Sequence, residues 1–568
     1  MPQLITPRYY TAWELVRAYW QSEERFRVWF FFIVMVLMTM SIVGFEVALS
    51  YWSNYFFNAL QAYNKRAAFY LLGVFFGLAA ILIIFLVYRY YVSQLFGLRW
   101  RKWLTEQIIN RWLMQRDYYY LETFDEKTDN PDQRIQEDIG ALVTYSISLF
   151  LGFISAITTF FGFIWVLWEL SGEIIIPLGS FGTWHIPGYL VWVSLLYAMI
   201  GTYITFKIGY PLVGLNFEQQ RREATFRFAA IDLRSHSEHI ALYQGENHQK
   251  NILQRLFGGV LENWYFIILR QKLLLWFTAG YNQVSVVLPL IVALPNYFSK
   301  VFMLGGLMQT LRAFTQIQDA SSFFVNAYTQ IAEWRAISQR LITFLNHMQE
   351  IDIKVTEHSQ LAILQQTENK VIVKQLSIFT PRNELLLKNI NEEFIHGHHY
   401  LIKGISGIGK STFIRTLAGI WPYAKGEIIL PAQQKMMYLP QKPYMPIGSL
   451  SEAIIFPDKI RDLSQGQFAE ILRSCRLELL IPRLQEIASW SQQLSPGEQQ
   501  RISFARVLLH QPDWVFLDES TSMLDLGNEE YLYQLIKKRL PNCSIVSVGH
   551  RSSLDNWHDH ILNMARYV

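Results

Sequence analysis

The run Gly404-Ile405-Ser406-Gly407-Ile408-Gly409-Lys410-Ser411-Thr412 has the spacing G-x-x-x-x-G-K-[ST], a pattern suited to holding phosphate. Gly404, Gly407 and Gly409, with Ser406 between them, let the backbone wrap phosphate oxygens. Its N–H groups, and the first turn of the helix that Thr412 enters, add partial positive charge. Lys410 reaches the β- and γ-phosphates, and Ser411 offers a hydroxyl to Mg2+. About a hundred residues on, Trp514-Val515-Phe516-Leu517-Asp518-Glu519 is an apolar run ending in two carboxylates. Asp518 is placed to hold the Mg2+ shell, and Glu519 to orient or deprotonate an attacking water. Together these residues spell nucleoside-triphosphate hydrolysis.

Such groups need strands to present them. The β-rich runs Val371–Val373, Tyr400–Lys403, Lys435–Leu439, Trp514–Leu517 and Ser544–Val548 alternate with helical stretches from Lys370 onward. That alternation predicts an α/β domain with a largely parallel sheet over residues 370–568. Its two cysteines, Cys475 and Cys543, give no disulfide or metal-site spacing.

The rest of the 568-residue chain reads differently. Hydrophobic residues make up 51% of the whole and charged ones only 17%, and the apolar runs crowd into the first ~330 positions. Six segments are long enough to cross a bilayer: roughly 28–50, 67–92, 141–169, 188–210, 270–296 and 302–330. Pro289 and Pro295 interrupt the fifth. The sixth mixes Gln309, Arg312 and Gln316 with leucines, the mark of a helix facing a bundle interior or watery cavity. Glu46, a carboxylate inside the first span, is expected either to face that cavity too or, lying near the span's outer end, to snorkel to outer water. Basic residues fill the loops at about 93–140 and 211–269, whereas Glu173 is the only formal charge in the loop at 170–187. The positive-inside rule therefore places the N-terminus, both long loops and the C-terminal domain in the cytoplasm. The domain reading is 1–26, an amphipathic lead-in; 27–335, a helical polytopic membrane domain; 336–369, a connector; and 370–568, the nucleotide-binding domain. A net charge of +4 spread over this length is no nucleic-acid footprint.

Between the two phosphate-chemistry runs lies Leu494-Ser495-Pro496-Gly497-Glu498-Gln499-Gln500-Arg501. With this third element in place, the chain resembles a half-molecule of the ATP-binding cassette (ABC) transporters, with an exporter-like membrane domain. The family's signature is usually L-S-G-G-Q, from which Pro496 and Glu498 depart; Ser495 and Gly497, the γ-phosphate contacts the resemblance implies, are kept. It further implies that Gln441 approaches Mg2+ and the attacking water, that Asp525 belongs to the D-loop, that His550 is the switch histidine, and that Phe379 stacks on adenine. ATP and Mg2+ are the implied cofactors. Asn130-Pro131-Asp132-Gln133-Arg134-Ile135 and Ser237-Glu238-His239-Ile240-Ala241-Leu242-Tyr243-Gln244-Gly245-Glu246 sit in the two long cytoplasmic loops. They resemble the SbmA/BacA-like transporters with a fused ATPase and, more distantly, the peroxisomal fatty-acyl ABC transporters. Asp132, Arg134, Glu238, Gly245 and Glu246 are the expected coupling residues.

One phosphate loop and one signature per chain imply a dimer, most simply of identical half-transporters in a bacterial inner membrane. The resulting expectation is ATP-driven alternating-access transport of peptides or other bulky hydrophilic or amphipathic solutes, with uptake favoured by the resemblance. A fatty-acyl or lipid transporter is the second class, and a nucleotide-gated pore or regulatory ATPase the third.

Overall fold

The computed structural model describes residues 10–124, 131–171, 173–177, 183–358, 360–458 and 463–568, and the chain divides into two compact units, Met1–Met348 and Gln349–Val568. The first opens with α1 (Ala12–Trp20), started by a capping box in which the Thr11 hydroxyl and the Glu14 carboxylate serve each other's backbone N–H. Next come α2 (Arg25–Gln61), α3 (Lys65–Met114), the short α4 (Asp117–Phe124) and α5 (Pro131–Gln133), a π-helical turn Arg134–Asp138, and α6 (Ile139–Ser171). A hairpin of β1 (Glu173–Pro177) and β2 (Thr183–Pro187) leads to α7 (Tyr189–Ser235), α8 (Ser237–Leu242), α9 (Glu246–Phe298), α10 (Leu304–Ser321), α11 (Phe323–Asn326) and α12 (Tyr328–His358).

Among the described residues, five helices are long and apolar enough to cross a membrane: α2, α3, the helix running from Pro131 to Ser171, α7 and α9. At ~1.5 Å per residue, the 50 residues of α3 and 53 of α9 extend for roughly 75 and 80 Å, more than twice a hydrocarbon core of ~30 Å. The long loops are therefore helical extensions of the spans. Pro289 and Pro295 do not break the fifth span; both lie inside continuous α9. The sixth segment is not one helix. It breaks after Ser321 and again at Ala327, and α10 packs against α2, α6, α7 and α9. Its buried polar residues, Gln309, Thr310 and Gln318, are tolerated because protein surrounds them rather than lipid. α7 pairs along its length with α9, while α2, α3 and α6 pack on one another.

The expected connector contains structure of its own: α12 continues to His358, and β3 (Gln360–Gln366) is already a sheet strand. Then follow β4 (Lys370–Phe379), β5 (Leu385–Ile395), β6 (Tyr400–Lys403), α13 (Lys410–Leu417), β7 (Ala424–Pro431), β8 (Met436–Leu439), β9 (Gly448–Ser449), α14 (Leu450–Ile455) and α15 (Gln465–Ser474). The remainder is β10 (Ile487–Ala488), α16 (Trp490–Gln493), α17 (Pro496–His510), β11 (Trp514–Asp518), α18 (Leu526–Arg539), β12 (Ser544–Val548) and β13 (His560–Asn563). The main sheet has the order β13-β6-β12-β11-β8, parallel throughout. A second sheet, β3-β7-β4-β5, is mostly antiparallel. β12 is buried from end to end and β11 up to its last residue, as continuous apolar runs require when both faces of a sheet are covered.

Candidate functional site

Parallel pairing explains how residues 150 positions apart meet. β6, β8, β11 and β12 all run the same way, so the loops after them gather along one edge, where open α/β sheets bind ligands. β6 delivers Gly404 to Gly409, β8 delivers Gln441, β11 delivers Asp518 and Glu519, and β12 delivers Gly549 and His550. Gly407 and Gly409 take φ of 82° and 105°, conformations that a side chain would strain. A Cβ on Gly549 would fall 2.2 Å from the Leu554 side chain, which would have to shift to admit any other residue before His550.

The three expected catalytic residues converge. Gln441 donates from Nε2 to one Glu519 oxygen at 3.1 Å, and His550 Nε2 lies 3.3 Å from the other. Glu519 itself sits at φ 48°, the left-handed region, with its N–H donated to Val548 O. A non-glycine residue held there is strained, and that turn swings the carboxylate away from the strand it follows.

Beside it, Ser411 Oγ donates to Asp518 Oδ1 at 2.8 Å. Burial pushes the Asp518 carboxyl above its usual range, against the pull of the Ser411 bond. Lys410 is 5% exposed and donates to Gly404 O and Ile405 O, each at 2.9 Å. Burial lowers its ammonium pKa, with Glu519 and Asp518 opposing. The loop carbonyls thus hold the cation ready, in a site where phosphate charge would be welcome. Ser411 and Asp518 supply the hard oxygen donors that suit Mg2+.

Ser495 is the N-cap of α17, with Pro496 at the first helical position. Its hydroxyl and its N–H both donate to Glu498, at 2.7 and 2.9 Å, while Glu498 N–H returns to the hydroxyl at 3.3 Å. The two departures from the usual signature are therefore a capping box and its proline. Gly497 needs no special backbone angle, and a Cβ there would meet Met523 O at 3.4 Å. Asp525 caps α18, accepting from Asn528 N–H at 2.8 Å and from its side-chain amide at 2.7 Å; these bonds hold its carboxyl below the usual range. Phe379 closes β4 with Lys425 Nζ 5.5 Å from its ring centroid, so one ring face already carries a cation. Thr412 lies in the first turn of α13, and its carbonyl accepts from Thr416.

Gln500 carries no signal of a role in the residue pattern. Its Nε2 donates to Gln441 O and its Oε1 accepts from Met523 N–H, both at 3.1 Å, tying the signature helix to the loops that hold Gln441 and Asp525.

In the membrane unit the expected residues separate. Glu46 is half-buried, and the charges acting on it are those of Arg312 on α10 and Arg89 on α3. Arg89 was overlooked although an arginine inside the second apolar run was a visible signal. Arg312 and Gln316 are half-buried, whereas Gln309 is wholly buried and accepts from Asn54 Nδ2. Gln309 therefore sits in the contact between α2 and α10. A Cβ on nearby Gly305 would fall 1.9 Å from Asn54 O, so these helices touch backbone to backbone.

Of the coupling candidates, Asp132, Glu238 and Glu246 are exposed, and Gly245 precedes α9 at an ordinary φ of −86°. Arg134 turns inward to Asp138, at 3.0 Å, and Arg340 of α12 grips the same carboxylate at 2.6 and 2.9 Å. Asn130 lies outside the described residues. Asp138 and Arg340 stand 202 positions apart, and no local pattern announced them.

Residues 15–298 match the family described as ABC transporter transmembrane region 2, and residues 387–522 match that described as ABC transporter. The chain is 34% identical to the inner membrane ABC transporter ATP-binding protein YddA of Escherichia coli over 556 residues, covering 97% of this chain and 96% of the relative. It is 28% identical to ABC transporter D family member 2, chloroplastic, of Arabidopsis thaliana, covering 97% and 85%. A bacterial Atm1-family ABC exporter with ATP bound shares the fold, with TM-score 0.71 at 18% identity over 96% of this chain and 94% of that one. A multi-span helical domain joined to an ATP-binding, ATP-hydrolysing cassette makes this chain a half-transporter of the ABC transporter family, powered by ATP.

Proposed function

We propose that two copies of this chain form a homodimer in a bacterial inner membrane, cassettes in the cytoplasm, and move bulky amphipathic solutes by alternating access, in the direction of uptake. The convergence of Gln441 and His550 on Glu519 carries the hydrolytic part of this reading. Glu519 takes the proton of the attacking water, Gln441 and His550 hold its carboxylate in place, and Lys410 meets the β/γ-phosphate charge. Ser411 and Asp518 would hold Mg2+, which supplies charge neutralisation on the phosphates when bound. Nucleotide drives the membrane helices only by favouring the state in which the cassettes are closed.

A cavity of about 1000 Å3 between α3 and α6 supports the solute reading; Arg89, Ser93, Gln94, Arg101, Thr144 and Ser148 give it a polar wall. Peptides are the first solute class, on the resemblance of the two cytoplasmic loop motifs to SbmA/BacA-like transporters. One observation favours the second class, fatty-acyl or lipid solutes. Among the described residues the charged side chains of that wall are Arg89, Arg101 and Glu137, a positive excess that suits an anionic amphiphile better than a cationic peptide. Flux of labelled peptides and acyl-CoAs across proteoliposomes, with ATP on a known side, tests both. ATP-dependent accumulation of either class identifies the solute and direction. Ion conductance without solute movement would instead make the protein a nucleotide-gated pore.

A further inference from the structure

The turn that follows Glu519 is tied down residue by residue. Ser520 Oγ donates to Leu439 O at 2.8 Å, Thr521 Oγ1 to Glu529 Oε2 at 2.7 Å, and Ser522 N–H returns to Glu519 O at 3.0 Å. Met523 N–H goes to Gln500 and Leu524 N–H to Thr521 O. Two carbonyls of the turn are then gripped by one side chain: Arg551 donates from Nη2 to Ser522 O at 3.0 Å and from Nη1 to Leu524 O at 2.9 Å. That guanidinium meets Glu529 of α18, whose Oε2 lies 3.4 Å from Nη1 and whose Oε1 accepts from Ser553 Oγ at 2.7 Å. Glu529 is 1% exposed, a buried carboxylate outside every phosphate motif, yet three side chains converge on it. A carboxylate is kept at such a depth only where donors satisfy it.

What this framework holds is a strained residue. Glu519 stands at φ 48°, and a non-glycine residue stays there only when its surroundings over-determine it. Arg551 also directly follows His550, whose Nε2 lies 3.3 Å from the Glu519 carboxylate. One short segment therefore carries a partner of that carboxylate and grips the turn leading away from it. We propose that Arg551 and Glu529 are positioning residues for hydrolysis, bracing the turn so that Glu519 keeps its left-handed backbone within reach of Gln441 and His550. The inference rests on Glu519 as the base. Without the brace the turn relaxes, the carboxylate leaves its two partners, and the water loses its acceptor. Lys410 and the phosphate loop keep their own bonds to Gly404 O and Ile405 O, so ground-state nucleotide binding is untouched.

ATP turnover and nucleotide-binding titrations of the full-length protein, in Arg551→Gln, Glu519→Gln and the two combined, test the brace. Arg551→Gln should lower kcat by about tenfold to a hundredfold, with ATP affinity within about twofold of the parent, which also reports that the cassette folds. In the Glu519→Gln background the same change should cost nothing further, because residues that act through one group are not additive. A merely structural role would cost turnover in both backgrounds. Should Arg551→Gln misfold by leaving Glu529 without its cation, Arg551→Lys still decides: it keeps the charge but not the planar fork that spans two carbonyls, and should lose about threefold in kcat alone. Parental turnover in Glu519→Gln would overturn the base assignment and this inference with it. A loss there with parental turnover in both Arg551 variants, or a further loss in the combined variant, would overturn the brace alone.

Discussion

Glu519 and Glu498 are both glutamates at the start of turns, yet their surroundings give them opposite tasks. Glu519 stands on a strained backbone with Gln441 and His550 on its two oxygens, so it is held where a water can be deprotonated. Glu519→Gln should lower ATP hydrolysis by about 10²–10³-fold while leaving ATP affinity within about twofold, because ground-state phosphate is met by Lys410 and the loop. Turnover and nucleotide-binding titrations measure the two halves, and parental turnover would remove Glu519 as the base. Glu498 instead occupies the hydroxyl and N–H of Ser495. Any phosphate presented to Ser495 has to compete with that carboxylate for both donors. Glu498→Gln retains the cap's shape but removes the competing charge. The ATP concentration for half-maximal hydrolysis should therefore fall about fivefold, at a cost of roughly 1 kcal/mol in cassette stability. An unchanged or raised half-maximal concentration would show that the carboxylate does not guard the signature.

At the scale of elements, the foot of α6 is joined to α12 through one buried carboxylate. Asp138 is 3% exposed, ends a π-helical turn and takes both Arg134 and Arg340, while Arg101 donates to Gln136 O in the same turn at 3.0 Å. Asp138→Asn leaves two guanidiniums without their anion and should destabilise the membrane unit by about 3 kcal/mol. Solute stimulation of ATPase should be lost while basal turnover persists, because α12 is the last helix before the cassette strands; full stimulation in Asp138→Asn would free the clamp of any coupling role. A second elemental device is a pair of neutral histidines under β12. His399 Nδ1 accepts from Ile545 N–H at 3.3 Å, and His558 Nε2 accepts from Ser547 Oγ at 2.8 Å. Burial lowers both to about 4, from an ordinary value near 6.5. Since protonation favours the unfolded chain, their contribution is complete above pH ~6.5 and is lost as pH falls towards 4, by up to about 3 kcal/mol each. Thermal melts of the protein between pH 7 and 4 should show this loss, and His558→Gln should flatten it.

These elements also show what could be read from residue order alone. Gly404–Thr412, Asp518, Glu519 and His550 were legible because each motif is local and a parallel sheet gathers strand ends at one edge. The second sheet was not legible: β3 and β7 pair although some sixty residues separate them, and Gln360–Gln366 is largely exposed, so no burial pattern marked it as a strand. The Asp138–Arg340 clamp and the Gln500 bridge escaped for the same reason, since long-range polar pairs leave no period in the sequence. The surroundings of Gln309 were not legible either, because a polar residue within an apolar run signals only that lipid is avoided. Whether water or another helix replaces the lipid is settled by packing.

At the scale of the whole molecule, one subunit leaves too much apolar surface for a bilayer to cover. Phe217 and Phe228 are 70% and 73% exposed on α7, which begins at Tyr189. At ~1.5 Å per residue they lie roughly 42 and 58 Å along that helix, beyond a hydrocarbon core of ~30 Å even with modest tilt. Exposed phenylalanines outside lipid are a liability unless protein covers them. α7 is paired chiefly with α9, and both side chains stay mostly exposed on it. In the proposed homodimer a second copy covers them, and the two signatures then complete the two nucleotide sites. Phe228→Arg places a charge in that contact and should shift mass-photometry populations from dimer to single chain. ATP turnover should fall by at least about tenfold, whereas nucleotide binding by each chain should persist, because Lys410 and its loop belong to one subunit. Phe76→Leu, on a part of α3 that lipid can cover, should leave both measurements unchanged. A stable dimer with parental turnover in Phe228→Arg would exclude this face from the subunit contact.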